Sequence, residues 1–212
     1  MNAELGKVLL IIVSSYCLGS FPTAYLVARL RKINIFEVGS GNMGATNIIR
    51  AMGLGWGLFV WFIDSLKAVI AILLAVQIMP ENPALATVIA ALCAIIGHNW
   101  SLFVGLITGT IRGGKGAATA FGTLIMIVPL HVIAAMLVLG GVIIALTRYV
   151  SLAVLTMFAL AIGWMVILVG QRAIPWEYLL YSLMLLVLIV YRFRENIQRL
   201  IAGTERRLGE GA

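Results

Sequence analysis

The feature that most constrains this chain is a succession of apolar runs, each about twenty residues long, the length a helix needs to cross the hydrocarbon of a bilayer. By that measure the runs at 8–28, 54–78, 85–105, 151–169 and 175–191 each predict a membrane-spanning helix. Composition points the same way. The chain of 212 residues is 62% hydrophobic and only 11% charged, with a mean hydropathy of +1.09, whereas soluble domains carry roughly a quarter charged residues. A soluble fold of this size could not cover so much apolar surface, so the predicted fold class is an all-α integral membrane protein. The first run continues through Tyr16, Phe21 and Tyr25 without a small-residue cleavage site, and is read as a retained helix. Cys17 and Cys93 lie inside apolar runs and are read as small packing residues with no disulfide implied. With no linker or low-complexity tract, residues 1–212 are treated as a single polytopic membrane domain.

The stretch 117–146 is too long for one crossing and short for two, and Pro129 interrupts it. Proline removes a backbone donor and disfavours helix in the residue before it. Charge decides between the two counts, because Lys and Arg collect on the cytoplasmic side. Arg29, Arg31, Lys32 and Arg50 lie in one connection, Arg112 and Lys115 in another, and Arg148 in a third. Arg192, Arg194, Arg199, Arg206 and Arg207 lie in the tail, while the connections near Glu81 and Arg172 carry little positive charge. With Lys115 and Arg148 on one side, the stretch between them must enter and return. The expectation is seven transmembrane helices, two of them short and hinged near Pro129, with the N-terminus outside, the C-terminus cytoplasmic, and residues 191–212 a cytoplasmic tail contributing to the site. A single tilted helix over 117–146 is the competing reading and would place Arg148 outside.

Three polar patches then share the cytoplasmic face. The first interleaves Gly39, Gly41 and Gly44 with Ser40, Asn42, Thr46, Asn47 and Arg50, and has no acid between Ser40 and Arg50. Glycine lets backbone approach an anion closely, while hydroxyl, amide and guanidinium groups supply directed donors. The second is Gly113-Gly114-Lys115-Gly116. Gly109, Gly114 and Lys115 fit the nucleotide-loop spacing G-x-x-x-x-G-K, but Gly116 stands where a Ser or Thr should hold magnesium, and no strand is expected before it. What survives is a lysine on a glycine turn, a point charge suited to phosphate. The third joins Arg148 and Ser151 to the tail from Arg192. The net charge of +7 does not suggest nucleic acid, because its Lys and Arg lie between or after apolar spans and form no basic face on a soluble fold. Anionic lipid and phosphorylated substrates are the better partners.

Several chemistries lack their residues. His98 is not followed at the H-x-x-x-x-D spacing by Asp, since Phe103 stands there, and Asp64 is the only Asp in the chain, too few for a metal-bound CDP-alcohol transferase. No G-x-S-x-G elbow is present. With histidines only at 98 and 131, a zinc or di-metal site has no support, and no cofactor is implied. Asp64 and Lys67, one turn apart inside the second span, read as an i,i+3 ion pair holding that helix in register. A catalyst without an evident general base needs a reactive donor.

The residues Ser40 to Asn47 with Arg50, the Asp64/Lys67 pair, Gly97-His98, Gly113 to Gly116 with Ala118-Thr119, Arg148 with Ser151, and Asn196-Ile197 with Arg199-Leu200 and Gly203-Thr204-Glu205 occur in one order over nearly the whole chain. In that order and spacing the chain resembles the bacterial acyl-phosphate:glycerol-3-phosphate acyltransferase family. The resemblance implies a multi-pass enzyme of the bacterial cytoplasmic (inner) membrane with its active site on the cytoplasmic face. It implies transfer of a fatty acyl group from acyl-phosphate to the 1-hydroxyl of glycerol 3-phosphate, giving lysophosphatidic acid and phosphate, the first acylation of phospholipid synthesis. The enzyme would work downstream of one that forms acyl-phosphate. Ser40, Arg50 and Lys115 take the catalytic part. Gly41, Asn42, Gly44, Thr46, Asn47, His98, Gly113, Gly114, Gly116, Thr119, Ser151, Asn196, Arg199 and Glu205 are expected to bind substrate. Phe193 stands where the family commonly has His, and the connection from His98 to Gly113, with Thr108, Thr110 and Arg112, is longer than usual. The alternative class is a transporter of a phosphorylated small molecule, which would place its site near the midplane between repeats; here the motifs gather at one surface.

Overall fold

The computed structural model describes residues 2–209. Its described residues form α-helices: α1 (Asn2–Ser20), α2 (Thr23–Leu30), α3 (Ala45–Met52), α4 (Leu54–Ile78), α5 (Pro83–Asn99), α6 (Leu102–Thr108), α7 (Ala117–Ile127), α8 (Leu130–Thr147), α9 (Val150–Gly170) and α10 (Glu177–Ile201). Four stretches are long and apolar enough to cross a membrane: 3–30, α4, α8 and α9, with α5 and α7 shorter apolar helices. Side chains such as Phe62 (56% exposed) and Val138 (67%) face outward where a soluble helix would carry polar groups, as a lipid solvent requires.

The chain forms two compact units, divided after Met126. In the first, α1 and α5 pack along each other with their starts together, since Lys7 pairs with Glu81 at one end while Tyr16 Oη donates to the Trp100 carbonyl (2.7 Å) and Ser101 Oγ to the Ser20 carbonyl (2.5 Å) at the other. Glycines permit this approach: a methyl on Gly19 would strike the backbone of Ala94, and one on Gly97 the carbonyl of Tyr16. On α4, Ser65 Oγ donates to the Ala118 carbonyl of α7 (2.9 Å). In the second unit α9 packs against both α8 and α10.

Three predicted spans differ in their bounds. The first is broken at Phe21-Pro22, where the proline ring ends α1, and Lys67 Nζ donates to the Phe21 carbonyl (3.1 Å). The third begins earlier, with Asn82 accepting from Leu85 N–H and Pro83 in the first turn, and stops at Asn99. Ser101 then caps a separate α6, its Oγ accepting from Val104 N–H (3.2 Å). The last continues ten residues past Tyr191, because Phe193 and Asn196 keep an inner face while Arg194, Glu195 and Gln198 stay exposed. The interruption at Pro129 falls as expected, and Pro129 precedes the first residue of α8.

Candidate active site

Residues 31–44 have no regular structure of their own, and one side chain organises most of them. Asn47, on the first turns of α3 and 2% exposed, accepts from Ser40 N–H through Oδ1 (3.0 Å). Its Nδ2 group donates to the carbonyls of Ile35 (3.2 Å), Val38 (3.1 Å) and Asn42 (3.1 Å). Asn47 is thereby committed to shaping the loop. The loop passes close over that amide only because Gly39 adopts φ +55° and a side chain there would meet Asn47 Oδ1. Asn42 Nδ2 donates to the Ser40 carbonyl (3.0 Å). Gly44 precedes α3 as its cap; Ser40 stays exposed, and Gly41, Thr46 and Arg50 are half-buried around it.

The glycine turn is pressed against the end of α5. Ser101 N–H donates to the Arg112 carbonyl (3.1 Å) and Gly114 N–H to the His98 carbonyl (3.1 Å), a short antiparallel clasp. A methyl on Gly113 would enter the His98 and Asn99 carbonyls, and one on Gly116, at φ +78°, would lie 2.7 Å from Asn99 Oδ1. A methyl on Gly114 would collide with His98 Nε2 and would sit 2.5 Å from the carbonyl oxygen of Met43. That last contact matters most, for Met43 belongs to the first patch and Gly114 to the second. The fold therefore brings the Ser40–Arg50 loop and the Lys115 turn edge to edge. Lys115 itself is half-buried, and Thr119 is buried on α7 one turn on. The longer connection before the turn is held locally at Thr108, whose Oγ1 donates to the Val104 carbonyl (2.8 Å) and the Thr110 carbonyl (3.2 Å), and joins the packing at Arg112, which lies over the Phe36 ring at 5.2 Å.

Beneath the turn lies a buried polar cluster whose extent goes beyond an ion pair within α4. Lys67 Nζ donates to Asp64 Oδ1 (2.8 Å), and the same oxygen accepts from Thr23 Oγ1 (3.0 Å). Lys67 Nζ also lies 2.9 Å from His98 Nδ1. The pair therefore ties α2, α4 and α5 together as well as spacing α4. His98, expected among the substrate-binding groups, stands between this cluster and Gly114. Asn99 was missed by sequence reasoning. It is 1% exposed, neither polar atom of its side chain has a hydrogen-bond partner, and it abuts Gly116.

The second unit holds the third patch. Glu205 is its hub: Oε1 accepts from Ser151 Oγ (2.9 Å) and Asn196 Nδ2 (2.6 Å), and Oε2 from Arg199 Nε (2.8 Å). Burial alone would push this carboxyl up, but the Arg199, Asn196 and Ser151 donors outweigh it and hold Glu205 below the usual carboxylate range. Glu205 spends itself on organising its neighbours. The turn that returns it to α10 runs through Gly203 at φ +70°, with Thr204 N–H donating to the Arg199 carbonyl (2.8 Å). Arg148 grips the tail farther on, its Nε and Nη2 donating to the Leu208 carbonyl (2.9 and 2.6 Å). Phe193, in the place of a histidine, is buried. Among the described residues no three His, Cys, Asp or Glu side chains converge as metal ligands would.

Residues 9–203 match a family model described as glycerol-3-phosphate acyltransferase. A glycerol-3-phosphate acyltransferase of Halalkalibacterium halodurans is 39% identical over 208 residues, 97% of each chain. A second, from Moorella thermoacetica, is 43% identical over 95% of this chain and 98% of its own. Among solved structures, the integral membrane glycerol 3-phosphate acyltransferase PlsY in its glycerol 3-phosphate form superposes with a TM-score of 0.83 at 35% identity, covering 95% of this chain and 96% of that one. Its lysophosphatidic acid form gives 0.81 at 34%, covering 95% of each chain.

Proposed function

This chain belongs to the glycerol-3-phosphate acyltransferase family, and from that premise we infer that it transfers a fatty acyl group from acyl-phosphate to the 1-hydroxyl of glycerol 3-phosphate. The observation that carries the reading is the junction of Met43 with Gly114, which sets two anion-binding stretches side by side. Both reactants carry a phosphate, so two adjoining cradles suit a reaction that must hold them together. The Ser40–Arg50 loop offers a hydroxyl, backbone N–H groups and a guanidinium; the Gly113–Gly116 turn offers backbone N–H groups and the Lys115 ammonium.

The chemistry asks for little more than position and charge. The 1-hydroxyl oxygen attacks the acyl carbonyl carbon, the bond from that carbon to the phosphate oxygen breaks, and the hydroxyl proton passes to the departing phosphate. The products are lysophosphatidic acid and inorganic phosphate. A mixed anhydride has a good leaving group, so holding the reactants in line and stabilising the developing oxyanion supply the rate. The donor's own phosphate serves as base, in keeping with an Asp64 already engaged by Lys67 and Thr23 beside the Lys115 turn.

The protein is a multi-pass membrane protein, and the proposed topology counts the stretch 3–30, α4, α5, α7, α8, α9 and α10 as seven crossings. In the first unit Lys7 and Glu81 mark one end. Arg31, Lys32, Arg112 and Lys115 lie between helices, Arg29 in the last turn of α2 and Arg50 on the short α3, a basic group that the positive-inside rule assigns to the cytoplasm. The N-terminus is then outside, and the site faces the side where an upstream enzyme would make acyl-phosphate. The test is release of inorganic phosphate by purified protein in lipid, given palmitoyl-phosphate with and without glycerol 3-phosphate, in the presence of a metal chelator. Release that depends on glycerol 3-phosphate and yields lysophosphatidic acid is expected; folded protein that releases none overturns the reading.

A further inference from the structure

The Lys67 ammonium has three N–H donors and three polar atoms within reach: the acceptors Asp64 Oδ1 at 2.8 Å and the Phe21 carbonyl at 3.1 Å, and the ring nitrogen His98 Nδ1 at 2.9 Å. Each comes from a different part of the first unit. Asp64 lies one turn away on α4, Phe21 has a carbonyl at the Pro22 break, and His98 sits near the end of α5. Lys67 is 5% exposed and Asp64 1%, so the group has no access to bulk water in exchange for these bonds. A nitrogen that accepts from an ammonium cannot itself carry a proton. With Lys67 charged, its 2.9 Å approach to His98 Nδ1, shorter than the 3.7 Å from that nitrogen to Asp64 Oδ1, is a hydrogen bond only if Nδ1 is bare, which puts the proton of the neutral ring on Nε2, the edge that abuts Gly114.

We propose that Lys67, held by Asp64, is a positioning residue of the transferase site: it fixes His98 in the tautomer whose Nε2–H faces the Lys115 turn. The carbonyl of the same His98 holds Gly114 N–H at 3.1 Å, so the residue addresses the turn from both backbone and ring. Were the proton on Nδ1, two donors would face each other at 2.9 Å and a bare lone pair would face the turn that is meant to receive an anion. The cluster thus gives the anion cradle a donor edge while keeping the charge of Lys67 one residue deeper. This inference rests on the transferase reading for its kinetic consequence, though not for the tautomer itself.

Histidine occurs twice in the chain, and His131 packs beside Trp164 in the other unit (ring centroids 5.6 Å apart), so nitrogen-15 spectra of histidine-labelled protein in lipid are simple to assign with a His131→Gln variant. The expected spectrum shows His98 with an unprotonated Nδ1 and a protonated Nε2; a protonated Nδ1 overturns the proposal whether or not any variant folds. The second arm is the double variant Asp64→Asn, Lys67→Met, which removes both buried charges together and so avoids stranding either one. It is expected to insert and purify as the wild type does, to lose the single-tautomer signature, and to fall about tenfold or more in kcat/KM, the scale of one lost hydrogen bond in the site. A folded double variant with unchanged turnover overturns the positioning role. Wild-type protein that shows the tautomer but releases no phosphate overturns the transferase reading instead.

Discussion

Replacing Gly114 by Ala isolates the contact on which the site's assembly depends. Gly114 does not belong to the glycines with positive φ, so the added methyl brings no backbone strain and acts by sterics alone. It would sit 2.5 Å from the Met43 carbonyl oxygen, against 3.4 Å for ordinary contact, and closer still to the His98 ring. Neither neighbour is the loose end of a flexible chain: one is backbone of the loop that Asn47 holds, and the other is a ring pinned by Lys67. Relief therefore requires the Ser40–Arg50 loop and the Lys115 turn to part by about 0.9 Å. A misplacement of about 1 Å between reacting groups costs on the order of a hundredfold in rate, and overpacking of this kind costs about 1–3 kcal/mol in stability. The assay is phosphate release dependent on glycerol 3-phosphate, with thermal unfolding in detergent beside it. Gly55→Ala is the control, since nothing lies within 4 Å of a methyl there and α4 is helical at that point; it should be neutral or stabilising by up to about 1 kcal/mol. If Gly114→Ala keeps activity and unfolding temperature as Gly55→Ala does, the close approach of the two patches is not what the site depends on.

Other expectations concern single groups. Lys115→Ala should nearly abolish turnover while leaving folded, membrane-inserted protein, and near-normal phosphate release would remove its assignment. Asn47→Ala deletes the partner of the Ser40 N–H and of three carbonyls, so it should cost about 2–4 kcal/mol by thermal unfolding in detergent and impair activity by loosening the loop. Glu205 has its carboxyl held below the usual range in the folded state, so its contribution is fully present above the ordinary carboxylate pKa and is lost as pH falls through the lowered one. Unfolding of wild type and Glu205→Gln across pH should show a constant gap near neutrality that closes only in acid; a gap that widens in acid contradicts the network.

Much of the membrane architecture was legible in the residues because lipid is an undemanding solvent to read. A helix there must be apolar over most of its length with any charges paired inside, and the run at 54–78 coincides with α4, whose two charges, Asp64 and Lys67, pair with each other. Pro129 was legible as a break because the stretch around it was too long for one crossing and its ring lacks an N–H. Where length alone was used, the bounds slipped. The first span hid the break at Pro22, the third hid the cap at Ser101, and the amphipathic end of α10 carried too many charges to read as the same helix. The site motifs were legible as residue types, because glycine, hydroxyl, amide and basic groups beside membrane spans have few bland uses.

Their division of labour was not legible. Asn47 and Glu205 read as ligand-binding groups, and nothing in the sequence signalled the bonds they make within the chain, Asn47 to loop carbonyls and Glu205 to Ser151, Asn196 and Arg199. Asp64 and Lys67 read as a pair along one helix, yet the bonds to Thr23, Phe21 and His98 arise from other helices. Hydropathy and glycine content are properties of consecutive residues, so the sequence by itself determined the solvent, most of the helices and the character of the chemistry. Whether a polar atom is free for a substrate depends on partners far away in the chain, which only the packing of one helix on another brings within 3 Å.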